Sequence, residues 1–318
     1  MEDFPQDLLD FEKRFSSDAA CREYLVRLRW PEGFRCPRCS HGRACVIRCT
    51  YFQCARCRHQ ASVTAGTIFQ DTRMPLPLWF RAIWYVTSQK NGASALGLQR
   101  VLGIRSYVTA WSWLHKLRRA MVRPGRDRLK GVVEVDETYL GGLEEGVVGR
   151  ETEKKALIAV AAEEDGNGIG RIRLQHISDA SRYSLHCFVS DHVEPGSLIH
   201  TDGWEGYDGL RDIGFRHKVT VLNRRKRKAH ELMPRVHRVA SLLKRWIMGT
   251  HQGAVSHEHL GYYLDEFTFR FNRRTSQHRG KLFYRLLQNA MQTGPAPYRI
   301  LAKGIRPGPE RRPRRRRS

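Results

Sequence analysis

Asp136 interrupts an apolar run that includes Val132, Val133 and Val135, and Asp202 closes the stretch "SLIHTDG". A carboxylate in the middle of such a strand loses hydration and needs a partner, either a buried arginine or a divalent cation. Strand residues alternate faces, so Glu134 and Asp136 share one side while Val133 and Val135 share the other. Gly203 lets the backbone turn away directly after Asp202. Placed at a strand end beside Asp136, Asp202 could share a metal with it. Carboxylates of this kind bind Mg2+ or Mn2+ through oxygen and leave positions open for water and phosphate. Two such ions about 4 Å apart activate the attacking oxygen and stabilise the leaving one in phosphoryl transfer.

A second set of residues suits a different metal. Cys36/Cys39 and Cys54/Cys57 are two CxxC knuckles, the donor set for a tetrahedral Zn2+ with four thiolates. Cys45 and Cys49 fall between the knuckles and read as spare, small buried residues, as do the isolated Cys21 and Cys187. Six of the eight cysteines lie between 36 and 57 in a chain with no export signal, which argues for metal and against disulfides.

The elements that position these groups are readable in outline. Residues 1–30 predict an N-terminal helical segment with Ser17 as an N-cap, and 31–72 a zinc ribbon with hairpin strands. Residues 73–123 carry a helical period broken at Gly103 and restarted at Ser106, a helix-turn-helix-like DNA-binding region. Trp79, Trp84, Trp111 and Trp113 are expected in its core. Residues 123–131 read as a linker. Three consecutive strands then precede helix, strand, helix and strand, followed by helices. That order predicts an α/β, ribonuclease-H-like domain over 131–292 with a mixed five-stranded sheet and flanking helices. Most apolar positions of its last helices, 257–274 and 280–291, read as core packing.

Charge points to the partner. The chain carries a formal net charge of +24 and a pI near 10.2, which attracts a polyanion. Double-stranded DNA is therefore expected, with phosphate contacts from Arg224, Arg225, Lys226, Arg227 and Lys228, and from a disordered basic tail over 303–318. No apolar run approaches the roughly 18 residues of a membrane span. The acidic N-terminus lacks the apolar core of a secretory signal, so a cytoplasmic, nucleoid-associated location and no membrane partner are expected.

The segments "VEVDETYLGG", "HTDGWEGY" and "LLKRWIMGTHQGAVSHEHLGYYLDEFTFRFNRR" resemble those of bacterial insertion-sequence transposases with an N-terminal zinc ribbon and a DDE-type catalytic domain. The resemblance covers about residues 15 to 290. It implies that Asp136 and Asp202 are the first two ligands of a catalytic Mg2+ or Mn2+. It also implies cleavage of the element's ends by water, then joining of the freed 3′-OH to target DNA by a paired assembly of subunits, a homo-oligomer on DNA. Relatives carry a glutamate on the next helix with a basic residue seven positions later. Matching "LLKRW" puts His237 at the glutamate position and Lys244 at the basic one, with Arg245 beside it facing DNA. Seven residues at about 100° each return Lys244 to within about 20° of His237, so both face one site. Glu231 is the rival third ligand, and Asn272 is a further residue that could face DNA. An imidazole in the set favours manganese more than a carboxylate does. Two other readings remain: an inactive or domesticated zinc-ribbon DNA-binding protein, and a ribonuclease-H-like nuclease that cuts without joining.

Overall fold

Ser17 starts a helix by accepting a hydrogen bond from Ala20 N–H at 3.2 Å, and Ser94 and Ser181 do the same for two later helices. These caps are among the local signals that the computed structural model realises; it describes residues 2–48, 50–123, 125–141, 155–221, 229–253 and 255–304. The chain divides into two units, one of residues 1–123 with 275–302, the other centred on 124–274.

The first unit begins with α1 (Leu8–Arg14) and α2 (Asp18–Arg29). An antiparallel three-stranded sheet follows, of β1 (Ala44–Ile47), β2 (Tyr51–Cys54) and β3 (Gln60–Ser62). Then come α3 (Leu76–Ser88), α4 (Ala95–Leu102) and α5 (Tyr107–Ala120). Gly103 ends α4 at φ 62°, a left-handed conformation that suits glycine, and α5 restarts after Ser106. Trp79, Trp84 and Trp113 are buried as expected, whereas Trp111 is half-buried. Cys21 is buried, but Cys45 and Cys187 are exposed, so the expectation of small buried thiols fails for those two. Cys49 lies outside the described residues.

The second unit is built on β4 (Val132–Leu140), β5 (Ala156–Asp165) and β6 (Gly168–Ile177), joined in antiparallel pairs. Next come α6 (Arg182–His192), β7 (Leu198–Thr201), two short 3-10 turns (Glu205–Tyr207 and Leu210–Ile213) and β8 (Arg216–Val219). The turns stand where one short helix was expected. The strand order is β6-β5-β4-β7-β8, with β7 parallel to both β4 and β8. This is the mixed five-stranded sheet of a ribonuclease-H-like fold. The run "ALIAVAA" is buried throughout, because β5 is covered on both faces. On one face Val133, Val135, Ala159 and Ile199 pack against Leu185, Phe188 and Val189 of α6. The other face receives α7 (Ala229–Leu232), α8 (Pro234–His251) and α9 (Leu260–Phe271). Here Ile158, Val160 and Leu174 meet Val236, Val239, Leu243 and Phe267.

Two expectations change. The stretch 123–131 is not only a linker: Leu129 is fully buried and bridges to Val193 beside the sheet. The helix α10 (Arg279–Gln292), expected in the catalytic domain, belongs to the first unit with α11 (Tyr298–Leu301). Its Phe283 lies 5.4 Å from Phe11 and 5.7 Å from Phe80 between ring centroids, within an aromatic core that its own helical period could not reveal.

Asn272 is also corrected. Its side-chain amide accepts from Ile172 N–H at 2.8 Å and donates to Ile172 C=O at 3.2 Å, pairing with the backbone of edge strand β6 rather than facing DNA. Asn272→Ala should lower stability by about 1–3 kcal/mol through these lost partners, measured as a shift in the urea midpoint.

Candidate active site

The parallel pairing of β4 with β7 matches Val132 to Leu198, Val133 to Ile199 and Glu134 to His200. Continuing that register by two residues brings Asp136 level with Asp202. Adjacent strands run about 4.8 Å apart, so the two carboxylates emerge from neighbouring backbones. The pairing itself stops before this point, and side chains take over. Asp202 Oδ1 accepts from Trp204 N–H at 3.0 Å, which orients its carboxylate. Trp204 Nε1 donates to Ala180 C=O at 2.9 Å. A Cβ on Gly206 would lie 2.7 Å from the same Ala180 oxygen, so the tight turn in "DGWEGY" requires glycine there. Tyr207 Oη donates to Glu137 Oε2 at 2.6 Å, tying the segment after Asp202 to β4. Burial first, then the negative field of Glu137, Asp136 and Asp202, keeps the Tyr207 phenol well above its ordinary pKa, so it remains a donor.

The third side comes from α8. Val236, Val239, Leu243 and Ile247 bury one stripe against the sheet, while Lys244, Arg245 and Arg238 remain exposed. His237 sits between these faces, its Nδ1 3.8 Å from Asp136 Oδ2. That separation lies within the roughly 3–4.2 Å spanned by two donors each about 2.1 Å from a shared ion. The Lys244 ammonium is held below its ordinary pKa, first by lost hydration and then by Lys155, with Asp136 acting in the opposite direction. The α8 start is also tied to β4. Glu134, on the same strand face as Asp136, accepts from Arg235 N–H at 2.8 Å and Val236 N–H at 3.0 Å. The buried arginine partner considered for Asp136 is thus found on Glu134, whose Oε1 meets Arg235 Nη1 at 2.9 Å.

The structure therefore brings Asp136, His237 and Lys244 to one region, and Asp202 comes level with Asp136 when the β4–β7 register is extended by two residues. The three proposed ligands do not close into a group as tight as the four thiols described next. Glu231 is exposed on α7. Arg224, Arg225, Lys226, Arg227 and Lys228 lie outside the described residues, as does the tail from 305. Sequence reading missed the roles of Glu134, Glu137 and Tyr207. The alternation of Glu134 with Asp136 was visible, but its partners are about a hundred residues away.

In the first unit, Cys36, Cys39, Cys54 and Cys57 place their sulfurs within 4.8 Å of one another. The pairs Cys36–Cys57 and Cys39–Cys54 are both 3.6 Å apart. A tetrahedral ion with Zn–S near 2.3 Å sets its sulfurs about 3.8 Å apart. The Cys57 and Arg56 backbone N–H groups, the former more strongly, lower the Cys54 thiol to about 6, whereas Cys39 beside it is pushed up to about 12.

The transposase zinc-ribbon domain family matches residues 16–60, and the ISXO2-like transposase domain family matches residues 128–272. The chain belongs to the insertion-sequence transposases that join a zinc ribbon to a DDE domain. A Halobacterium salinarum protein described as an uncharacterized protein in transposable element ISH50 is 27% identical over 286 residues, 81% of this chain and 92% of that protein. Among solved structures, the catalytic core domain of BIV integrase aligns with a TM-score of 0.32 at 14% identity, covering 48% of this chain and 89% of that one. The Mos1 strand transfer complex aligns with a TM-score of 0.26 at 11% identity, covering 71% and 78%. Among the described residues of this transposase, no helix is long and apolar enough to cross a membrane.

The four thiols of the transposase supply a structural zinc site. Cys54→Ser should therefore release the bound zinc and unfold β1–β3 while leaving the five-stranded sheet protected. Zinc quantitation together with hydrogen exchange over both units checks this outcome.

Proposed function

We propose that this transposase binds the ends of its insertion sequence, cleaves them by metal-dependent hydrolysis and joins the 3′-OH ends to target DNA. The observation that carries the reading is the 3.8 Å approach of His237 to Asp136, at the strand position level with Asp202. Two carboxylates and one imidazole suit a six-coordinate Mg2+ or Mn2+ and leave positions for phosphate and water. The chemistry supplied by such a cation is Lewis acidity toward the scissile phosphate and its attacking and leaving oxygens. Asp136, Asp202 and His237 would hold it. Glu137 and Tyr207 keep the Asp202 segment against β4, and Lys244, two turns along the same helix face as His237, would neutralise a DNA phosphate.

Partners and assembly follow from the same reading. Double-stranded DNA is the polyanion that a net charge of +24 would attract, with Lys244 and Arg245 on the exposed face of α8 and Arg224–Lys228 contributing phosphate contacts. The helix-turn-helix of α4 and α5 would bind duplex DNA beside the zinc ribbon. A homo-oligomer on DNA, with two ends held together, and a nucleoid-associated cytoplasmic location complete the proposal.

The test is purified full-length protein with end-containing DNA, a target plasmid and either metal. Joined products with faster cleavage in Mn2+ are expected; binding without cleavage would leave a DNA-binding protein, and cuts without joining a nuclease. Asp136→Asn and Asp202→Asn should each cut the cleavage rate more than about 100-fold, beyond what a merely supporting residue costs. Full activity in His237→Ala would remove it from the ligand set. Lys244→Ala should weaken binding on all sequences alike and reduce the logarithmic salt dependence by roughly 1, read from affinities across a salt series.

A further inference from the structure

The first turn of α8 presents a problem that a residue from another element solves. Pro234 opens the helix and has no N–H, and Met233 at the N-cap offers no side-chain hydrogen bond. The next two backbone donors, Arg235 N–H and Val236 N–H, both point to Glu134 Oε2 on β4, at 2.8 and 3.0 Å. Glu134 is only 1% exposed, so an unpartnered charge there would be costly. Its other oxygen takes the Arg235 guanidinium at 2.9 Å. That guanidinium also meets Glu164 Oε1 at 2.9 Å and the carbonyls of Gly166 and Gly168 at 2.9 and 3.0 Å. A buried anion at a helix N-terminus is favourable, since the helix dipole and the two free N–H groups converge on it.

The spacing on both elements gives this contact its consequence. Asp136 follows Glu134 by two residues on the same strand face, and His237 directly follows Val236 on the helix. Fixing the helix start to Glu134 fixes how far along β4 the helix begins and which way its first turn faces. The His237 imidazole then arrives 3.8 Å from Asp136. A slip of one residue would rotate the helix by about 100° and carry the imidazole away from the strand.

We propose that Glu134 is a positioning residue that caps α8 from β4 and thereby sets the His237–Asp136 geometry for metal binding. The inference rests on the ligand reading above but not on any DNA activity. It acts through His237, touches no reacting atom and leaves the zinc ribbon alone.

The test is Mn2+ affinity of the full-length protein, measured by electron paramagnetic resonance of free Mn2+, for wild type, Glu134→Gln, His237→Ala and the double variant. An amide at 134 keeps the size but replaces one acceptor with a donor and removes the charge. Glu134→Gln should bind Mn2+ about 10-fold or more weakly, as expected for a partner behind a ligand. In the His237→Ala background the same change should weaken binding less than about 2-fold, because the geometry it serves is already lost. A purely structural role would give the same loss in both backgrounds and would overturn the proposal, as would wild-type affinity in Glu134→Gln. If Glu134→Gln does not fold, Glu134→Asp carries the test: it keeps the charge but reaches the helix less fully, with an intermediate loss expected only when His237 is present. If His237→Ala binds Mn2+ like wild type, the ligand reading itself fails and this inference fails with it. If His237→Ala is impaired and Glu134→Gln is not, only the positioning role fails. Hydrogen exchange at 235–237, faster in Glu134→Gln than in wild type, reads the lost cap directly; unchanged exchange there would also overturn the role.

Discussion

The site depends first on the parallel pairing between β4 and β7. A parallel pair cannot be closed by a short turn and requires a crossover, here one that includes α6. Its register, extended two residues past the paired positions, brings Asp136 level with Asp202 although 65 residues separate them in sequence. Any one-residue slip would turn one carboxylate to the opposite sheet face, into the apolar layer of Val133, Val135 and α6. The hydrophobic pattern of that layer is therefore what protects the alignment of the polar groups.

The backbone ladder alone does not complete the arrangement. It ends at Glu134 and His200, before either aspartate. From there a set of side-chain bonds holds the two segments: Tyr207 to Glu137, Trp204 to Ala180, and the Trp204 N–H to Asp202. On the opposite face, Glu134 and Arg235 fasten the start of α8. Buried polar groups of this kind are costly unless each finds a partner, and these do. The arrangement concentrates negative charge at the sheet centre, where Arg235 is set against Glu134.

Much of the framework was legible from the chain itself. The CxxC knuckles, the Ser17 cap, the Gly103 break and the run "ALIAVAA" each encode local geometry, because their spacing and residue type restrict the backbone directly. The order of strands and helices predicted the mixed sheet for the same reason. Less legible were contacts made across long separations. The assignment of α10 to the first unit follows from Phe283 meeting Phe11 and Phe80, and helical periodicity only says that one face is buried, not against what. Asn272 looked free to face DNA because nothing local uses its amide; its partner is Ile172 on the sheet edge. Leu129, within a stretch rich in arginine and glycine, looked like linker until Val193 was placed beside it.

By itself the sequence determined the chemistry available: four thiols for zinc, two strand-borne aspartates, and a helix with His237 and Lys244 on one face, about two turns apart. Those features are local in spacing, so they survive without knowing where distant segments lie. Only the tertiary structure decided which acid meets which base. Glu134, not Asp136, takes the buried arginine, because the N-terminus of α8 settles over that point of β4. His237 then faces Asp136 because the same docking sets the rotation of the helix, a property of packing between elements rather than of either segment alone.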